Sequence, residues 1–331
     1  MPETISIAGI VVLLLVLAAE FVNGWTDAPN AIATVVSTRV LTPRQAVVLA
    51  VVGNILGAFS GTAVATTIGK GIVKPDAIEL STVAAAMVAI IVWSTIAYRY
   101  GLPTSESHAL VAGLAGAGLA VAGPSVLLWA GWQKVLIGLG FSTFLGFGLG
   151  LMLTSLLLRV SMKLRLGTAR ALFGRLQLLS AAFMAFSHGG NDGQKFMGVF
   201  ALALVMSGVF SEFHIPIWVI FIAAGTMGLG TAFGGWKIVR TMGTRLTRLE
   251  TVHGFAAESS AGFAIQLASW FGIPLSTTHT INTAIMGVGA TRRLSAVRWG
   301  VSRQIVTTWI LTFPVCGAIA WLAAKLLLWA F

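Results

Sequence analysis

The chain has 331 residues, 57% of them hydrophobic and 9% charged, with a formal net charge of +11. A soluble domain carries about 25% charged residues, so this composition excludes a soluble enzyme and predicts an all-α polytopic membrane protein. The pI of about 10.9 does not point to nucleic acid, because the basic residues sit in short loops, without an aromatic-interleaved patch, as loops retained in the cytoplasm do.

In chain order, apolar stretches lie near 5–23, 45–68, 81–98, 132–158, 196–210, 215–236, 251–270 and 304–330, and about 20 helical residues suffice to cross the hydrocarbon. The first follows an acidic start, Met1-Pro2-Glu3, where a secretory signal would be basic, and is expected to stay as a membrane helix. It leads into Gly24-Trp25-Thr26-Asp27-Ala28-Pro29-Asn30, which predicts an acidic interruption of the helix. Gly101-Leu102-Pro103-Thr104-Ser105-Glu106-Ser107-His108 is expected to open a broken or hairpin helix over 104–122. The basic run from Arg159 to Arg175 reads as a cytoplasmic amphipathic connector, with lipid binding as the second reading. A half-helix at 177–188 leads to Gly189-Gly190-Asn191-Asp192-Gly193-Gln194-Lys195, a second acidic interruption. Gly272-Ile273-Pro274-Leu275-Ser276-Thr277-Thr278-His279 then opens a helix over 275–290. The single cysteine, Cys316, excludes an intrachain disulfide and a cysteine metal site.

The two proline motifs are copies, identical at four of eight positions. Pro103 lies 76 residues after Asp27, and Pro274 lies 82 after Asp192. A duplicated pair of interrupted membrane segments marks a transporter's substrate site. Loops at 39–44, 99, 159–175, 237–250 and 292–303 hold 16 of the 21 Lys and Arg, whereas those at 70–80, 124–131 and 211–215 hold two. With the first set in the cytoplasm, the halves insert in opposite senses. The expected organisation is therefore one structural unit of two inverted-topology repeats, 1–158 and 177–331, joined by the connector 159–176. Glycine clusters at Gly113, Gly116 and Gly118 and at Gly146, Gly148 and Gly150 predict close helix packing within the chain, with a homodimer face as the alternative.

Five acids fall in or beside membrane segments: Glu20, Asp27, Glu106, Asp192 and Glu258. A carboxylate at the bilayer centre costs about 2.5–3.5 kcal/mol on insertion scales, so each needs a partner, a proton or a cation. Asp27 and Asp192, flanked by Asn30 and Asn191 and by unwound carbonyls, are expected to handle a cation or proton, with Glu106 and Glu258 as further candidates; capping of a following half-helix is the bland alternative. Glu20 alone suggests an interfacial or packing role. Thr104, Ser105, Ser107, Ser276, Thr277 and Thr278 follow a proline suited to a first helical turn, where unpaired N–H groups and the dipole favour an anion. Two such starts facing each other would cage a tetrahedral oxyanion. Lys195, three residues after Asp192, is expected to pair with it or meet the anion. His108 and His279 match across the halves and are candidates for a proton relay or for donors that orient the hairpin; His188 can tune the Asp192 site. No zinc-type spacing occurs, so no structural metal and no cofactor are expected.

At these residues the chain resembles the inorganic phosphate transporter (PiT) family, bacterial low-affinity type. The motifs are Gly24-Trp-Thr-Asp27-Ala-Pro-Asn30-Ala31, His188-Gly-Gly-Asn-Asp192-Gly-Gln-Lys195-Phe-Met-Gly198 and the two proline copies, in both halves. The resemblance implies symport of inorganic phosphate with sodium or protons, and in bacterial proton-linked members carriage of a neutral metal–phosphate complex. The family's Asn-Asp pair is matched by Asn191-Asp192, whereas the first half has Thr26-Asp27, a departure that favours protons over sodium. The resemblance thus implies a multi-pass protein of the bacterial inner membrane, surrounded by lipid. The rival readings are a sulfate or other oxyanion carrier, and an intramembrane hydrolase using Ser105, His108 and Asp27; the latter lacks a Gly-x-Ser-x-Gly elbow.

Overall fold

The apolar stretches, free of charge over whole helix lengths, form helices throughout the computed structural model, which describes residues 5–330; the acidic start at Met1–Glu3 lies outside it. The order is α1 (Ile7–Ser37), α2 (Pro43–Ala58), α3 (Ala63–Gly71), α4 (Leu80–Arg99), α5 (Glu106–Ala122), α6 (Trp129–Gly140), α7 (Gly146–Ser161), α8 (Leu166–Met206), α9 (Ile217–Ala232), α10 (Trp236–Arg240), α11 (Thr251–Trp270), α12 (Thr277–Ala290) and α13 (Trp299–Ala330). A π-helical turn, Phe141–Leu145, joins α6 to α7. Among the described residues, α1, α4, Trp129–Ser161 and Trp299–Trp329 are long and apolar enough to cross a membrane. The pair α2 and α3, bent by 71°, and the pair Ile217–Ala232 and Trp236–Arg245, bent by 61°, qualify if each bent pair is one span.

One pattern runs twice along the chain: a long helix (α1, α8), a bent pair (α2–α3, α9–α10), two helices joined by a glycine-proline turn (α4–α5, α11–α12), and a long closing segment (α6–α7, α13). Packing exchanges the series: α2 lies on α8 and α9 on α1, while α5 packs on α13 and α12 on α7. The segment 159–176 comprises the end of α7, a turn and the first turns of α8.

Two apolar cores result. Val12, Val16 and Ala19 of α1 join Phe196, Val199 and Leu202 of α8 in one core, with α4 and α5. Ala31, Ile32 and Val35 of α1 join Ala181, Met184 and Ala185 of α8 in the other, with α11 and α12. The first half of α1 therefore shares a core with the second half of α8, and the reverse. Asp27 and Asp192 fall between the two apolar sets along their helices.

The interruptions expected at Asp27 and Asp192 do not occur, for α1 and α8 run as helix through both. The acids are met by side chains of other helices, so no unwound backbone is needed to satisfy them. Pro29 lies inside α1, and having no N–H it leaves the Trp25 carbonyl without its helical donor. Gly235, at φ 53°, closes on that spot; a Cβ there would stand 2.7 Å from both the Trp25 carbonyl oxygen and Pro29. The glycine clusters pack inside the chain: Gly116 against Gly317, Gly113 against Ala86, and Gly150 against Ala284. Gly148 instead faces outward, with nothing within 4 Å of its Cβ position.

The loops sort by charge. Arg39, Arg170, Arg248 and Arg298, from four of the basic loops, line one cavity of about 910 Å³. The basic-poor loops gather elsewhere, with Val73 bridged to Leu127 and the Lys70 ammonium 5.0 Å from the Phe213 ring centroid.

Candidate functional site

Each proline motif leaves its preceding helix through a glycine in the left-handed region, Gly101 (φ 67°) and Gly272 (φ 63°). The prolines hold the lead-in extended, and the helices start at Glu106 and Thr277 rather than at the prolines. Ser105 and Ser276 are the N-caps, accepting from the backbone N–H of His108 (3.3 Å) and His279 (3.2 Å). The two caps touch: the Ser276 hydroxyl donates to Ser105 Oγ at 2.7 Å. From this contact α5 runs into one core and α12 into the other.

The acids close on these tips from α1 and α8. Asp192 accepts from Thr277 Oγ1 (2.7 Å), from the Lys195 ammonium, and lies 3.1 Å from His188 Nε2. Asp27 accepts from Thr278 Oγ1, 3.3 Å from each carboxylate oxygen. Asn30 donates to Thr278 Oγ1 (2.9 Å) and Thr277 Oγ1 (3.3 Å). Lys195 also donates to Ser107 Oγ (2.5 Å) and the Leu275 carbonyl (2.9 Å). All these side chains are buried.

Glu106 sits beside the site, accepting from Thr26 (3.0 Å), Ser94 (2.7 Å) and Thr104 (3.4 Å). Thr26 thus faces Glu106 and, through Val22 O at 2.8 Å, its own helix. Asn191 donates to Ser269 Oγ (2.8 Å) and the Ile273 carbonyl (3.3 Å), bracing the turn before Pro274, and its Oδ1 has no partner.

Glu258 does not join the group. It accepts from Thr34 (2.6 Å), Gln177 (3.1 Å) and Ser180 (2.5 Å). Thr34 is seven residues beyond Asp27, about 10 Å along α1. Gln177 accepts in turn from Thr38, which lines the arginine cavity. Glu20, expected to be interfacial or to serve packing, is fully buried two turns before Asp27 on α1 and accepts from Asn23 at 3.0 Å. Sequence reasoning also passed over Asn54, which orients His188 Nδ1 at 3.0 Å from α2; an isolated amide is legible only in three dimensions.

His108 and His279 stand edge to face at 4.5 Å, and His279 stacks on Trp309 at 3.7 Å. Neither His279 ring nitrogen has a partner, nor has His108 Nδ1. No imidazole contacts Ser105 Oγ, whose hydrogen bonds are its cap and Ser276, so no nucleophile–base pair forms there. Asp27, His188 and Asp192 each present a ligand atom within 4.8 Å of the others. The arrangement can therefore offer hydroxyl and helix-start donors to an anion and carboxylate and imidazole groups to a cation, within one enclosed layer.

Comparisons with known proteins find similar chains among transporters. The chain is 42% identical over 310 residues to the "Probable low-affinity inorganic phosphate transporter" of Rhizobium meliloti (strain 1021), covering 93% of each. It is 39% identical over 325 residues to the protein of the same description from Bacillus subtilis (strain 168), covering 96% of this chain and 98% of that one. A solved structure described as "The sodium-dependent phosphate transporter" superimposes with a TM-score of 0.87 at 25% identity, covering 98% of this chain and 100% of the other. These similarities are to transporters, and the hydrolase reading falls with them. Residues 23–320 match the model of the phosphate transporter family PHO4, and the chain belongs to that family.

Proposed function

We propose that this transporter is a symporter that carries inorganic phosphate across the bacterial cytoplasmic membrane together with protons, through two inverted repeats. One observation carries the reading above all: the starts of α5 and α12 meet at Ser105 and Ser276, with Asp27 and Asp192 on the adjoining hydroxyls. The N–H groups at 106, 107, 277 and 278 lie in first helical turns, which have no intrahelical acceptor. A phosphate entering there replaces the Ser105–Ser276 hydrogen bond and takes both hydroxyls, those of Ser107, Thr277 and Thr278, and the two helix dipoles. A doubly charged anion in a low dielectric is prohibitive unless positive charge enters with it. Asp27, Asn30 and Glu106 hold the charge that enters, Asp192 already carries the Lys195 ammonium, and Asn191 keeps the Pro274 turn in place.

The opposite course of α1 and α8 through the two cores supports inversion. Rocking one half against the other then parts Ser105 from Ser276 and opens the layer to alternate sides. Exposed apolar side chains such as Leu14, Val52, Phe144 and Leu326 support a lipid-facing surface. Protons are favoured over sodium by Thr26, whose hydroxyl is committed to Glu106 and Val22 O. The second reading, sodium coupling, is favoured by the superimposed structure, which is described as sodium-dependent. Carriage of a divalent metal with phosphate is supported by the Asp27, His188 and Asp192 trio.

The test is uptake of labelled phosphate into proteoliposomes under a pH gradient and a sodium gradient imposed separately, with divalent metal added or chelated and with excess sulfate. Uptake driven by the pH gradient, resistant to sulfate, is expected. Uptake driven by sodium alone overturns proton coupling, and competition by sulfate overturns phosphate selectivity.

A further inference from the structure

Lys195 is the only lysine or arginine among the described residues whose side chain is buried. It stands three residues after Asp192, where Asn30 stands three residues after Asp27. The correspondence extends to the partners. Asn30 donates to Thr278 at 2.9 Å, and Lys195 donates to Ser107 at 2.5 Å; Ser107 and Thr278 are the same position in the two proline motifs. One place in the architecture is thus filled by a neutral amide in the first half and by an ammonium in the second.

The ammonium's surroundings resemble an alkali-cation site. Nζ is held by a carboxylate oxygen of Asp192, the Ser107 hydroxyl and the Leu275 main-chain carbonyl. Carboxylate, hydroxyl and carbonyl oxygens are the ligands by which transporters bind a coupling sodium or proton. Asp27, by contrast, accepts only from Thr278, and among the described residues it forms no ion pair with an ammonium or guanidinium. Its neighbours are Thr278, Asn30 through Thr278, Glu106 through Thr26, and His188 and Asp192, each with a ligand atom within 4.8 Å of it.

We propose that Lys195 is a tethered counter-cation, occupying at Asp192 the cation place that its counterpart at Asp27 leaves open, so that a mobile cation or proton enters on the Asp27 side alone. This rests on the reading of the layer as the transport site. It makes the two halves alike in fold and unequal in charge, and lowers by one the positive charges that each phosphate must bring. A lysine on α8 cannot cross with the substrate, so the charge it supplies is never spent from the gradient.

The test uses the full-length protein in detergent, with wild type, Lys195→Asn and Asp192→Asn/Lys195→Asn titrated with sodium or potassium against choline at constant ionic strength. Lys195→Asn is expected to gain a saturable rise in Tm of about 4 °C in one of these cations beyond any shift in wild type. The double variant, lacking the Asp192 carboxylate, should lose that gain. In proteoliposomes, Lys195→Asn should acquire a dependence on the same cation that wild type lacks. A Lys195→Asn protein whose Tm follows wild type in every salt overturns the proposal. So does one that loses its fold in sodium, potassium and choline alike, because no mobile cation then replaces the ammonium. Wild-type proteoliposomes that take up no phosphate would refute the transport reading, while the cation titration still judges the role of Lys195.

Discussion

At Ser105 and Ser276 one hydroxyl does two jobs, capping a helix and facing its twin from the other half at 2.7 Å. Removing a hydrogen bond to a charged ligand costs about 1.5–3 kcal/mol, or roughly 10- to 100-fold in affinity. Ser105→Ala and Ser276→Ala should each raise the KM for phosphate by such a factor in proteoliposome uptake; damage from the first alone would contradict a shared site. Asp27→Asn keeps the shape of the acceptor but removes its charge. Phosphate uptake by that variant is expected to stop responding to an imposed pH gradient, and an unchanged response would remove Asp27 from coupling. Glu258 tests the opposite case. It holds three donors away from the helix tips, and Glu258→Ala strands buried polar groups at about 1–3 kcal/mol each. A lowered Tm is expected, with the KM for phosphate close to wild type. The chemistry of the site was legible in the duplicated hydroxyl motifs, since spacing alone marks equivalent positions. The separation of Glu258 from Asp27 was not, because it depends on which helix faces which.

At the scale of elements, the bent pairs act as braces. Thr67 of α3 donates to the Gly272 carbonyl at 2.7 Å, and Thr241, in the helical turn after α10, donates to the Gly101 carbonyl at 2.8 Å. Each bent pair thus fixes the turn that aims the other half's proline motif. The long helices are held as closely: a Cβ on Gly57 would stand 1.9 Å from the Phe186 carbonyl oxygen, and one on Gly189 would stand 2.1 Å from that of Asn54. These contacts are backbone, and cannot rotate aside. Gly57→Ala therefore forces α2 off α8, at a cost of about 1–3 kcal/mol, and should lower the Tm and the yield of folded protein; a wild-type Tm would show that the helices part freely. Helix existence was readable from apolar length. The continuity of α1 and α8 through their polar segments was not, because glycine, proline and an acid weaken a helix locally while partners from α5 and α12 restore it.

Over the whole molecule, charge sorts the ends. The arginine-lined cavity draws Arg39, Arg170, Arg248 and Arg298 from loops far apart in sequence, as a cytoplasmic assignment of the basic loops requires. Single cysteines at Arg170 or Arg248, in a Cys316→Ala background, should be shielded from an impermeant maleimide in intact cells and labelled after lysis. Cysteines at Lys74 or Glu212 should be labelled in intact cells, and the reverse pattern would invert the topology.

The sequence by itself determined that the protein is helical and membrane-embedded, that its halves echo one another, and which hydroxyls and acids match across them. Those properties follow from composition, loop charge and local motif, each readable within a few residues. Tertiary structure alone decided that the two helix starts touch, that Asp192 carries an ammonium while Asp27 does not, and that Glu258 is buried with its own set of donors. Such facts depend on contacts between residues as far apart as 251 positions, and only the packing of one half into the other brings those groups within reach.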